Sequence, residues 1–179
     1  MKGQAFRQGV AGLFPGYFAL VMATGIVSVA SALLGMALIA RLLLIVNLVA
    51  YVVLWALTLF RLLAFWPRVW ADLTDHSRGP GFFTAVAGTC VLGSQLIVVG
   101  GAPQIARWLW LLGALLWLLI MYTFFAAVTV RAEKPPIERG LNGAWLLAIV
   151  ATQSVAVLAT LLALEQEAWR ATLLFVGLC

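Results

Sequence analysis

Charge is what this chain most lacks. Only 9% of its residues are Asp, Glu, Lys or Arg, and neither these nor the single His falls deep inside a complete apolar stretch. Proton-coupled pumps and ion-coupled exchangers usually keep an ionisable group near mid-membrane. Intramembrane hydrolases need a nucleophile with its base, or a set of metal ligands. The apolar stretches supply neither. Cysteine is almost absent too. Cys90 lies within an apolar stretch and Cys179 is terminal, with no CxxC or Cys/His grouping to suggest a disulfide, a metal or another cofactor. Proline is excluded from segment interiors: Pro15, Pro67, Pro80, Pro103, Pro135 and Pro136 all flank apolar runs. Any interior kink must therefore come from glycine or from Ser/Thr back-bonding.

What is present is hydrocarbon. The chain is 65% hydrophobic with mean hydropathy +1.10, outside the range of soluble domains. A helix needs ~20 apolar residues to cross a bilayer. Charge-free intervals of that length predict five complete helical spans, near 12–36, 42–65, 82–101, 107–130 and 141–164. A sixth apolar run, 171–179, stops about half a span in, and a helix cannot end at mid-depth with its carbonyls unpaired. The expectation is an all-α polytopic membrane protein, one transmembrane domain over 1–179, truncated within its sixth helix, with a re-entrant last segment as the alternative. Cleavage of the first span as a signal peptide at Ala30-Ser31-Ala32 is disfavoured, since its uncharged run exceeds a signal core.

Basic residues set the orientation. Lys2, Arg7, Arg61, Arg68, Arg78, Arg131, Lys134 and Arg139 fall on one side of this topology, and Arg41, Arg107 and Arg170 on the other. The positive-inside rule then places the N-terminus in the cytoplasm, with the protein in the cytoplasmic (inner) membrane. The net charge of +5 is divided among separate loops and forms no nucleic-acid stripe. The Phe65–Gly81 stretch mixes Trp, Phe and Arg as an interfacial segment would. Trp66, Trp70, Trp145, Trp108, Trp110 and Trp169 read as belt residues. Trp55 and Trp117 read as lipid-facing or inter-subunit packing.

Small and polar residues concentrate in alternate spans. Thr24, Ser28, Ser31 and Gly35 follow i, i+4, i+7, i+11 on the first. Thr84, Gly88 and Gln95 share a face of the third; Asn142, Gln153 and Thr160 fall on one stripe of the fifth. The second and fourth spans are Leu-, Val- and Trp-rich. In lipid, small residues allow close backbone approach and polar side chains need partners or water. The odd spans are therefore expected to surround a central pore and the even ones to face lipid. The candidate pore-lining set is Thr24, Ser28, Ser31, Thr84, Gly88, Gln95, Asn142, Gln153 and Thr160. Ordinary helix packing is the competing reading for each. A neutral path of hydroxyls and amides can replace part of an anion's hydration shell without holding it too firmly.

Asp72, Asp75 and His76 could share a helix face as metal ligands. With Arg68 and Arg78 as ready partners, they read instead as a charge cluster organising a loop, and no metal site is assigned. A pH-sensing role for His76 is a further alternative.

Three stretches resemble a known family. Phe14-Pro15-Gly16-Tyr17-Phe18, Gly81–Thr89 and Asn142–Ser154 are similar in content and order to motifs of the tellurite-resistance/C4-dicarboxylate transporter family. That family includes TehA-like proteins, plant slow anion channels, fungal malate permeases and sulfite efflux pumps. The resemblance implies ten helices in five hairpins, odd helices lining a pore and even helices outside, assembled as homo-trimers in the bilayer. It also implies that a pore-plugging phenylalanine belongs to a ninth helix beyond this sequence, so no gate residue is assigned. Pore helices of relatives are often proline-kinked, unlike these spans. The expected function is an anion channel or facilitative transporter for small inorganic or organic anions, and not an enzyme. The alternatives are a proton-coupled C4-dicarboxylate, sulfite or tellurite-related efflux carrier, and a pore-less membrane enzyme or assembly factor.

Overall fold

Prolines and glycines mark where the helices start and stop. The computed structural model describes residues 2–130 and 142–165. The Pro135-Pro136 loop with its basic residues, together with Trp169, Arg170 and the run at 171–179, lies outside the described residues. Helix α1 (Lys2–Ala11) comes first, an element that hydropathy did not flag. Pro15 opens a 3-10 turn, Pro15–Phe18, that runs directly into α2 (Ala19–Leu33). Helix α3 (Ala37–Ala64) and the short α4 (Trp66–Leu73) follow. Pro80 sits in a second 3-10 turn, Gly79–Phe82, which leads into α5 (Phe83–Val98), and Pro103 begins α6 (Pro103–Val130). Proline suits these positions because a first-turn amide has no intrahelical partner and φ is already helical. The last described helix, α7 (Leu146–Glu165), follows a 3-10 turn over Gly143–Trp145.

Two glycines close the hairpins. Gly35 takes φ +79°, its N–H donates to Ala32 O at 3.0 Å, and Met36 N–H reaches Ser31 O at 2.8 Å. This paired arrangement ends α2 around a left-handed residue that only glycine adopts without strain. Gly101 (φ +59°) serves the α5–α6 turn, where Ala102 N–H donates to Leu96 O at 3.0 Å. The short turns fold α2/α3 and α5/α6 back as antiparallel hairpins.

Five helical stretches are long and apolar enough to cross a membrane: Pro15–Leu33, Ala37–Ala64, Gly79–Val98, Pro103–Val130 and Gly143–Leu164. The described residues contain no strand. The chain is an all-α, multi-pass membrane protein, as its charge-free intervals predict. At ~1.5 Å per residue, the 28-residue α3 and α6 are each about 42 Å long and outreach a ~30 Å hydrocarbon core.

Helix α5 is the centre of the packing. It meets α2, α3, α6 and α7, and 72% of its apolar stretch is buried, against 11% for α3 and for α6. Lipid tails are as apolar as leucine, so dispersion and close fit hold these helices together rather than expulsion of water. On one side Phe83 meets Phe124 edge-on at 5.8 Å, within a cluster that includes Cys90, Leu158 and Leu162. On the other, Phe18, Val21, Ala85, Leu92 and Leu96 form a second cluster with Tyr51 and Trp55 against it.

Glycine makes the α2–α5 approach possible. A Cβ on Gly25 would stand 2.6 Å from Val91 Cγ1 and 3.1 Å from Asn47 Nδ2, and one on Gly88 would stand 3.2 Å from Phe18 O. Gly25→Val should therefore lower stability by about 1–3 kcal/mol through overpacking, read as a reduced thermal midpoint in detergent. Gly9→Ala, at a position with nothing within 4 Å, should leave that midpoint unlowered.

Candidate functional site

The odd spans form the inner row: α5 stands between α2 and α7, with α3 packed on α2 and α5, and α6 on α5 and α7. Many of the polar side chains in this row are committed to helix contacts. Ser28 is buried and its hydroxyl donates to Ala40 O of α3 at 2.7 Å. Ser31, also buried, donates to Val27 O of its own helix at 2.8 Å. Thr84 Oγ1 lies 2.7 Å from Gly81 O and 3.1 Å from Pro15 O, joining the turns that open α2 and α5. Gly88 receives the backbone of Phe18. Gln95 Oε1 accepts from Asn47 Nδ2 of α3 at 2.7 Å, with both residues fully buried.

The other four candidates are more open. Thr24 is half-buried. Asn142 is exposed, and its Oδ1 caps the following turn by accepting from Ala144 N–H at 2.9 Å. Gln153 and Thr160 are exposed on α7, where Val157 and Leu164 share their stripe. On α5, Val91 and Ser94 are half-buried and Val98 is exposed, at i, i+3 and i+7. On this stripe Val91 packs toward Gly25 of α2, and Ser94 is nine residues from Ala85, which is half a turn around the helix. Ser94 is its one polar member. The sequence pattern grouped Ser94 with the small residues of this span, but burial was needed to separate it from Thr84 and Gln95.

Several aromatic residues of the outer helices point inward. Tyr51 and Thr89 share a hydrogen bond at 3.1 Å, and Trp117 Nε1 donates to Thr152 Oγ1 at 2.8 Å. Trp55 packs edge-on against Phe18 at 5.4 Å. Trp110, expected in the membrane belt, donates to Val155 O at 3.2 Å, and Trp145 packs on Phe124 at 5.1 Å. An indole N–H needs an acceptor, and for Trp110 and Trp117 the neighbouring helix provides it.

One end carries an ionic knot. Arg61 is 4% exposed and does not snorkel outward; it pairs with Asp72 and donates through Nε to Ala11 O at 3.3 Å. Arg78 Nε approaches the other Asp72 oxygen at 2.9 Å. Asp75 Oδ1 accepts from Ser77 N–H, Ser77 Oγ and Arg78 N–H, and His76 is buried near the Trp145 ring. These carboxylates organise the loop, and the described residues contain no group placed to hold a metal ion.

Residues 12–179 match the family described as SLAC1, voltage-dependent anion channel. The chain belongs to that family. Comparison with curated proteins and with solved structures gives no match. SLAC1 proteins are helical membrane channels and transporters for anions, which agrees with the resemblance carried by the three motifs.

The Asn47–Gln95 amide pair is a fully buried polar contact in this SLAC1 chain. It joins the outer α3 to the central α5, and leaves Asn47 Oδ1 and Gln95 Nε2 without partners. Gln95→Leu should cost about 1–3 kcal/mol, because it orphans the whole Asn47 amide. Adding Asn47→Leu should recover part of that loss. A double-mutant cycle of unfolding in detergent measures both, and purely additive losses would exclude the coupling.

Proposed function

We propose that this chain contributes to an anion channel or facilitative transporter, passing small inorganic or organic anions along a neutral path beside α2, α5 and α7. Family membership supports the class. The observation that carries the path is the character of the inner row: α2, α5 and α7 hold no Asp, Glu, Lys, Arg or His from Ala19 to Leu33, Phe83 to Val98 or Leu146 to Leu164. Hydroxyls and amides along such a path ease dehydration of an anion while binding it weakly enough to release it. Arg7 and Arg68 are exposed at one end, where positive potential raises the local anion concentration. On this reading the chain is not an enzyme.

Within the candidate set, Thr24, Gln153 and Thr160 keep side chains off the tightest contacts, and Ser94 joins them as a lining residue. Ser28, Ser31, Thr84, Gly88 and Gln95 set the spacing between helices, and Asn142 caps the entry to α7. The positive-inside rule supports a cytoplasmic N-terminus in the cytoplasmic membrane. The apolar outer faces of α3 and α6 suit lipid or neighbouring copies in a homo-trimer.

Reversal potentials of the purified protein in proteoliposomes test the class. A channel should follow the permeant anion's gradient and ignore an imposed pH gradient. A shift with pH would instead favour the proton-coupled dicarboxylate or sulfite carrier. Cysteine accessibility tests the path. Ser94→Cys, Gln153→Cys and Thr160→Cys should react with a water-soluble thiol reagent at least tenfold faster than Val52→Cys or Leu59→Cys. Equal labelling of the two groups would remove the lining assignment.

A further inference from the structure

We propose that the depression between α1 and the α3–α4 corner binds the phosphate headgroup of an anionic phospholipid. The depression has a volume of about 340 Å3 and is lined by Arg7, Gln8, Ala11, Phe65 and Arg68. Both arginines are exposed, and among the described residues no carboxylate pairs with either. Asp72 explains why. It lies four residues beyond Arg68 on α4, the spacing at which the two would pair on a helix surface. Its oxygens are instead turned to Arg61 and Arg78, which removes the nearest negative charge from Arg68. Arg68 rests over the Phe65 ring at 5.7 Å, a stacking that restrains a guanidinium while leaving its N–H edge able to donate.

The surroundings select a lipid over a soluble anion. Trp66 and Trp70 are exposed on α4 with ring centroids 6.2 Å apart, and Leu63, one turn earlier on the lipid-facing α3, is 88% exposed. Exposed indoles beside an apolar helix end define the level where acyl chains meet headgroups. A phosphodiester at that level would meet two guanidiniums while its chains ran along α3. Charge complementarity and depth therefore point to the same occupant.

The test uses the full chain in detergent and counts phospholipids retained in native mass spectra. Phosphatidylglycerol should be retained in preference to phosphatidylcholine. Arg7→Gln and Arg68→Gln should each reduce retention by on the order of fivefold, and Arg68→Lys should keep most of it. Arg41→Gln, at the opposite end of α3, should change nothing. Equal retention of the two lipids, or unchanged retention in the Arg7→Gln/Arg68→Gln variant, overturns the proposal. Displacement of phosphatidylglycerol by inorganic phosphate as readily as by a short-chain analogue also overturns it, since the site would then serve a soluble anion. Each single glutamine variant sits at an exposed position, so an unfolded double variant still leaves the singles to decide.

Discussion

Close approach to α5 is the constraint on which the rest of this structure depends. One 16-residue helix takes contacts from four others, and it can do so only because small residues stand at the crossings. Gly25 and Gly88 bring α2 within van der Waals range, and Gly113 places the backbone of α6 against Cys90. Once the backbones are this near, polar groups can reach from one helix to another. Tyr51 finds Thr89, Asn47 finds Gln95, and Thr84 reaches the carbonyl of Pro15. In lipid these contacts are not assisted by exclusion of water, so the geometry of the glycines comes first and the hydrogen bonds follow from it.

Much of this architecture was legible in the residues. Charge-free intervals mark five spans, flanking prolines mark their beginnings, and the distribution of glycine separates inner helices from outer ones. The period of each segment was sufficient because a membrane helix has few alternative structures. What each polar side chain does was much less legible. Ser28, Gln95 and Gln153 are equivalent by composition and span. Yet Ser28 faces α3, Gln95 is sealed within a three-helix junction, and Gln153 lies on an open face. That difference depends on the rotation of each helix about its axis, which follows from neighbours distant in sequence. The same reason explains Trp117 and Tyr51, which sit on greasy helices but turn their polar atoms inward. Helix α1 is silent in the sequence pattern because its ten residues carry neither a sustained apolar period nor a cap signature.

The ionic knot shows a similar division. The sequence places Arg61 near the end of a span, where a long side chain would be expected to reach for headgroups. It reaches inward because Asp72 and the Ala11 carbonyl provide a charged and a neutral acceptor together, reducing the cost of its burial. The knot thereby ties α1, α3, α4 and the Arg78 loop to one another. It also fixes which cations at that end remain available to anything outside the chain.

The amide pair between α3 and α5 bears on biogenesis. Asn47 precedes Gln95 by 48 residues in the order of synthesis, so in sequential insertion its span reaches the bilayer first. The first hairpin must therefore dwell in the lipid with a hydrogen-bonding group that only a later segment can engage. Arrival of the third span relieves that deficit, so the nascent chain carries its own incentive to capture the next helix in the correct order.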